Sequence, residues 1–184
     1  MPPLDNPLGV HGALMHTDRT RHIWLNPSDF EITAGSPALV SIGPADTLRD
    51  KAKAWAFDPD NGEGIGTTVM LPADWLSGWA IKLYWAADTE VVLLRQCLWW
   101  AGIAWIAAGD SVDKARDAGN YAFGDTPSTT ARILAVSAAI DLSTNAGADK
   151  AGRLTISRYA THAGDTLTGD ALLLGAEIEY TADM

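Results

Sequence analysis

The sequence predicts an all-β protein: a jelly-roll-like antiparallel β-sandwich preceded by an extended N-terminal arm. Two observations support this fold class. Short apolar runs, several of them alternating between apolar and polar residues, recur along the whole chain, and clusters of Gly, Pro, Asn and Asp separate them. Strand candidates at this spacing are typical of β-sandwiches and jelly rolls. A chain of 184 residues is long enough for one such domain with its own core.

Residues 1–20 form the predicted arm. They contain prolines at positions 2, 3 and 7 and lack the periodic apolar pattern that would pack them on their own domain. We expect the arm to lie against a neighbouring molecule through its apolar side chains. These are Leu4, Leu8, Val10, Leu14 and Met15. Residues 21–184 are predicted to form the sandwich domain.

The domain contains nine strand candidates, separated by turn residues. In order, they are His22–Leu25, Ala38–Ile42, Ala52–Phe57, Ile65–Leu71, Trp79–Trp85, Val91–Ala108, Ala131–Leu142, Arg153–Ala160 and Ala171–Thr181. In the third candidate, alternation places Ala54 and Ala56 on one face and Trp55 and Phe57 on the other. The pair Asn61-Gly62 follows it and is the best short hairpin signal in the chain.

The run Val91–Ala108 approaches the length of a transmembrane helix, but Arg95 and Gln96 interrupt it. We therefore predict no membrane span. A long buried strand, or two strands broken near Gly102, explains the run better. Because both alternating faces are apolar, the strand requires cover on both sides. We expect part of this cover to come from a second subunit, at a contact that includes Trp99, Trp100 or Trp105.

Two segments also have helical character. Asp110–Gly119 has an acidic start and a terminal glycine, as a short capped helix does, within a polar loop predicted over residues 110–130. Ala131–Leu142 is rich in alanine and has apolar residues at helical spacing, although it also alternates. Its neighbours resemble strands, so we predict a strand there.

The composition restricts the function. There are 13 Lys and Arg residues against 23 Asp and Glu, a formal net charge of −10, which disfavours binding to nucleic acid. The single cysteine, Cys97, excludes an internal disulfide framework and a multi-cysteine zinc site. The eight tryptophans suit sheet cores, sugar-binding platforms and subunit interfaces alike.

No motif specifies a chemistry. The Asp58 to Glu63 segment lacks the spacing of an EF-hand and is interpreted as a solvated turn. Gly62, Gly64 and Gly66 are followed by a strand-like run, so they indicate a bulge or a close strand crossing rather than a phosphate loop. Asp165 and Asp170 are interpreted as turn residues. We predict no catalytic residue, no metal site, no cofactor and no enzymatic activity.

The order of several short motifs resembles that of a known protein class. The motifs are WAFD at 55–58, LPADW at 71–75, IKLYW at 81–85, ISR at 156–158, DTL at 165–167 and LLGAEIEY at 173–180. Over roughly residues 52–182 the chain resembles the small jelly-roll structural proteins of tailed-phage virions, of the head-decoration or fibre-associated type.

The resemblance implies a non-enzymatic virion protein on the outer capsid surface, assembled in the host cytoplasm. It also implies the major capsid protein as partner and a homo-oligomer, most often a trimer. Decoration and stabilisation of the head is the leading hypothesis. A tail-fibre or other host-recognition module that binds carbohydrate is the alternative, and a bacterial carbohydrate-binding domain is a further one.

Overall fold

The computed structural model describes residues 19–43, 51–147 and 149–183, which form strands joined by turns and loops. The strands are β1 (Arg19–Leu25), β2 (Glu31–Ala34), β3 (Ala38–Ile42), β4 (Ala52–Phe57), β5 (Gly62–Met70), β6 (Trp75–Ala87), β7 (Gln96–Ile106), β8 (Ala118–Asp125), β9 (Ala135–Val136), β10 (Ile140–Asp141), β11 (Ala151–Tyr159) and β12 (Ala171–Ala182). One turn of 3-10 helix, Pro27–Asp29, lies between β1 and β2. All strand pairs are antiparallel, which confirms the predicted all-β antiparallel sandwich.

The strands form two sheets. Sheet A has the order β10-β6-β12-β4-β3, with β9 also paired to β6 and β1 also paired to β12. Sheet B has the order β2-β5-β11-β7-β8. From β4 onward the chain passes repeatedly between the sheets, so β11 lies between β5 and β7 while β12 lies between β4 and β6.

The core between the sheets contains many of the tryptophans. Trp79, Trp85, Trp99 and Trp105 are fully buried. Trp79 packs edge-to-face on Trp105 with ring centroids 5.5 Å apart, and Trp85 packs on Trp99 at 6.0 Å. The abundance of tryptophan is therefore explained in large part by the filling of the chain's own core.

Several predictions of individual strands are confirmed. Strands β3 and β4 have the predicted bounds, and Trp55 and Phe57 face the core as the alternation indicated. The run near Gly102 is one unbroken strand, β7. The bulge or close crossing predicted at the glycines of β5 is also found. The β2–β5 register shifts beside Gly64, and a Cβ added to Gly66 would lie 2.8 Å from Cγ2 of Thr33.

Other predictions were wrong. Asn61-Gly62 does not close a hairpin, because β4 and β5 belong to different sheets. Instead, the carboxylate of Glu63 accepts the backbone N–H of Asp58 (2.7 Å) and that of Ser36 (3.2 Å). The segment 131–142 forms only the two short strands β9 and β10, and no helix is present over residues 110–119.

Strand β8 lies in the segment that was predicted to be a polar loop. Its core-facing positions include Ala122 and Gly124, which are small because large side chains of other strands fill the space. A Cβ added to Gly124 would lie 2.5 Å from Nε1 of Trp85. The strand therefore lacks the large inward residues by which an alternating pattern is recognised.

A glycine in β11 gives a testable consequence of this packing. A Cβ on Gly152 would lie 2.5 Å from Cδ1 of Ile103 and 2.8 Å from the Trp105 ring. Gly152→Ala is therefore expected to lower the free energy of unfolding by about 1–3 kcal/mol through overpacking. Gly62→Ala is the matched control, since an added Cβ there meets no atom within 4 Å. Equal urea midpoints for the two variants would contradict this packing.

Candidate functional site

The three tryptophans predicted at a subunit contact lie in different environments. Trp99 and Trp105 are fully buried in the core of a single chain. Trp100 points to the outer face of sheet B and is half-buried. Of the three, Trp100 is the one whose side chain reaches the surface. The predicted contact residues of the arm, Leu4, Leu8, Val10, Leu14 and Met15, lie outside the described residues.

The indole of Trp100 lies against the backbone of sheet B. A Cβ added to Gly102 would lie 2.3 Å from Cη2 of Trp100, and one added to Gly119 would lie 2.9 Å from its Cζ2. Gly102 and Gly119 are paired across β7 and β8, so together they leave a flat surface for the ring. The guanidinium of Arg116 lies over the ring, 4.5 Å from its centroid.

Beside Trp100, the same outer face carries a groove of about 560 Å³. Arg116, whose guanidinium covers Trp100, lines this groove as well. The remaining lining residues come from β2, β5, β11 and the 3-10 turn, and many are polar. They are Asp29, Glu31, Ile32, Thr33, Gly66, Thr67, Thr68, Arg153, Leu154 and Thr155.

On the same face, from the level of Trp100 toward the start of β7, aromatic side chains form a small cluster. Tyr121 and Tyr159 have ring centroids 5.5 Å apart, and the Tyr159 ring lies 6.0 Å from that of His162. Phe123 packs beside Gly164, and it is about half exposed, as are Tyr121 and Tyr159. The rings are tilted rather than coplanar, with interplanar angles of 60° and 44°.

An apolar loop precedes β7 at this same end of the sandwich. Val92, Leu93 and Leu94 are 90%, 64% and 63% exposed, and we call these three residues the apolar tip. Their exposure overturns the prediction that the whole run from residue 91 to 108 is buried. Hydrogen bonds fix the loop on both sides of the tip. The N–H of Val91 donates to the carbonyl of Thr129 (2.9 Å), and Arg95 exchanges two 2.8 Å bonds with Thr126.

The outer face of sheet A carries a charged cluster. Nδ1 of His22 lies 3.1 Å from Oε1 of Glu177, and Nζ of Lys82 donates to Oε2 of Glu179 at 3.0 Å. This hydrogen bond and the charge of Lys82 lower the pKa of Glu179. Burial, together with its hydrogen bond to Glu177, raises the pKa of Tyr84.

Among the described residues, His22, Glu177 and Glu179 are the one group whose ligand atoms lie close enough together to hold a metal ion. Both carboxylates already accept hydrogen bonds, from Tyr84 and Lys82. A cation bound here would have to compete with the ammonium group of Lys82. The cluster is thus explained as a surface network that joins β1, β6 and β12.

A buried ion pair closes the end of the sandwich near the apolar tip. Arg158 and Asp165 are essentially inaccessible, and their bidentate contact measures 2.9 Å and 3.0 Å. The remaining donors of Arg158 bind the carbonyls of Phe57, Gly169 and Leu167. The carboxylate of Asp165 therefore has a structural role, in agreement with its interpretation as a turn residue.

Burial raises the pKa of the nearby Cys97 thiol, which keeps this thiol protonated and a poor nucleophile.

Sequence reasoning did not find the groove, the aromatic cluster or the apolar tip as such. The groove combines residues from four separate parts of the chain, so no local sequence pattern predicts it.

In the described residues no helix has the length and hydropathy needed to cross a bilayer. Comparison with protein-family models and with curated proteins finds no match to the chain.

Proposed function

We propose that the protein is a non-enzymatic virion structural protein that decorates the outer capsid surface and stabilises the head as a homo-oligomer, with three subunits as the expected number. The observation that carries this proposal is the apolar tip. Three consecutive apolar side chains project into solvent from a loop that hydrogen bonds hold in place. Exposed apolar groups of this kind mark contacts with other proteins.

Further exposed apolar side chains surround the same end of the sandwich, which enlarges the available contact. On the side of sheet A they are Ile133, Leu134 and Val136, and on the side of sheet B they are Tyr121, Phe123 and Tyr159. Aromatic residues with a polar group suit interfaces, because one part packs while the other remains hydrated. We assign the contact with the major capsid protein to this apolar end.

The winding of the strands supports placement among jelly-roll proteins. In such a fold each sheet receives strands from separate parts of the chain, as β11 and β12 do here. The net charge of −10 supports an outer position, where the protein does not face packaged DNA. A chain with one buried cysteine and no need for disulfides suits assembly in a reducing cytoplasm.

Co-sedimentation with empty capsids of the same virion tests the proposal. Changing Val92, Leu93 and Leu94 together to Ser is expected to abolish co-sedimentation, since it removes the apolar contact. The melting temperature should change little, because surface substitutions cost at most about 0.5 kcal/mol each. Met70→Ser is the control, as Met70 is also exposed but lies at the other end of β5. Unchanged binding by the triple variant, or no binding by the wild-type chain, would contradict the proposal.

A further inference from the structure

The groove on the outer face of sheet B has one side that donates hydrogen bonds and one that accepts them. Arg116 stands on the side of β7 and β8, while Asp29 and Glu31 stand at the opposite edge, beside β2. Three strand spacings separate β2 from β7, a width of roughly 14 Å. The floor between them carries threonine hydroxyls, which both donate and accept. These belong to Thr33, Thr68 and Thr155.

Arg116 is positioned without using its hydrogen-bonding capacity. Its guanidinium stacks on the indole of Trp100, which lies over Gly102 and Gly119. Within the part of the chain that the structure describes, its N–H groups have no hydrogen-bond acceptor. Stacking therefore holds the guanidinium over the groove, with its donors free for a ligand.

The charges of the groove restrict the ligand. Arg116 and Arg153 are balanced by Asp29 and Glu31, so the lining has no formal net charge. A nucleic acid or another polyanion would meet two carboxylates, in a chain whose net charge is −10. The lining instead fits a neutral ligand that accepts hydrogen bonds on one side and donates them on the other. The hydroxyl groups of a sugar do both.

We propose that this groove binds a neutral polysaccharide chain, with Arg116 as the main donor and Trp100 as the residue that positions it. The site is separate from the apolar tip. Thr155 of the groove pairs with Gly102, six residues along β7 from Gln96, which is a distance of roughly 20 Å. Substitution of Arg116 or Thr155 in the groove can therefore abolish polysaccharide binding without altering the apolar tip.

Affinity electrophoresis of the whole chain tests this site, with gels that contain soluble polymers of glucose, mannose, galactose, xylose or N-acetylglucosamine. Heparin serves as the anionic comparison. We expect at least one neutral polymer to retard the protein. Arg116→Ala should weaken that binding about tenfold or more, as expected for lost hydrogen bonds to a charged group. Trp100→Ala should weaken it as well, because the guanidinium loses its support.

Two further variants distinguish specific binding in the groove from nonspecific adsorption of the polymer to the protein surface. Thr155→Val preserves the shape of the groove and removes one hydroxyl, so it should weaken binding with no change in folding. Trp24→Ala is the matched control, because Trp24 is also partly exposed and lies over a glycine, Gly175, but on sheet A. The proposal is overturned if no neutral polymer retards the wild-type chain, if only heparin does, or if Trp24→Ala weakens binding as much as Trp100→Ala.

Discussion

Replacement of Arg158 by Met is expected to lower the free energy of unfolding by about 3–5 kcal/mol. Arg158 is fully buried, and each of its five N–H groups has an acceptor. Asp165 is satisfied to the same degree, because its oxygens also accept the N–H groups of Leu98 and Leu167. Removal of the guanidinium leaves a buried carboxylate without its counterion and three carbonyls without a donor.

Thermal unfolding followed by circular dichroism checks this prediction, and for a chain of this size the melting temperature should fall by roughly 10 °C. Asp165→Asn should be similarly damaging, because it leaves the buried cation unpaired. The double variant Arg158→Met/Asp165→Leu should be less destabilised than the sum of the two single changes, since neither charge remains. A loss of only about 0.5 kcal/mol in the free energy of unfolding would lower the melting temperature by at most about 2 °C. A shift that small for Arg158→Met would contradict the role assigned to Arg158.

Trp99→Ala is expected to cost about 3–5 kcal/mol, whereas Trp100→Ala should cost about 1 kcal/mol. The two residues are adjacent in sequence and point to opposite faces of β7. Trp99 is fully buried and packs on Phe57 (5.3 Å between centroids) and Trp85. Substitution of Trp100 removes the contact of its ring with Arg116 and some buried surface, but it creates no cavity inside the core.

Urea denaturation of both variants measures this difference. The Trp99 indole N–H has no acceptor among the described residues, so the loss on substitution is one of packing rather than of a hydrogen bond. Trp99→Phe should accordingly restore much of the stability. Equal urea midpoints for the two alanine variants would contradict the placement of Trp99 in the core and of Trp100 at the surface.

The strands that the sequence predicts well are those with one apolar and one small or polar face. In β4, Trp55 and Phe57 alternate with Ala54 and Ala56, and the pattern identifies both the strand and its inner face. The same pattern does not identify strand β8, because Trp85 from another strand fills the space beside Gly124 and β8 needs no large inward side chain there. Such complementarity between distant residues leaves no local pattern in the sequence.

The candidate sites illustrate the same limit. Both faces of the apolar run around β7 are hydrophobic, so alternation could not assign Trp99, Trp100 and Trp105 to the interior or the surface. The outer face of sheet B is partly covered here by the loop after β7, because Arg116 of this loop lies over the Trp100 ring and Arg153 of β11 donates to the loop carbonyls of Val112 and Lys114. Cover that was expected from a second subunit is thus provided in part by the same chain.

The insertion of β11 and β12 between earlier strands has a consequence for biosynthesis. Strands β5 and β7 emerge from the ribosome well before β11, and until it arrives each has an edge with unsatisfied backbone groups. Strands β4 and β6 likewise each have an unpaired edge until β12 is synthesised. Neither sheet can be completed until the C-terminal strands are made, so these edges of the nascent polypeptide stay open to pairing with other chains for most of translation.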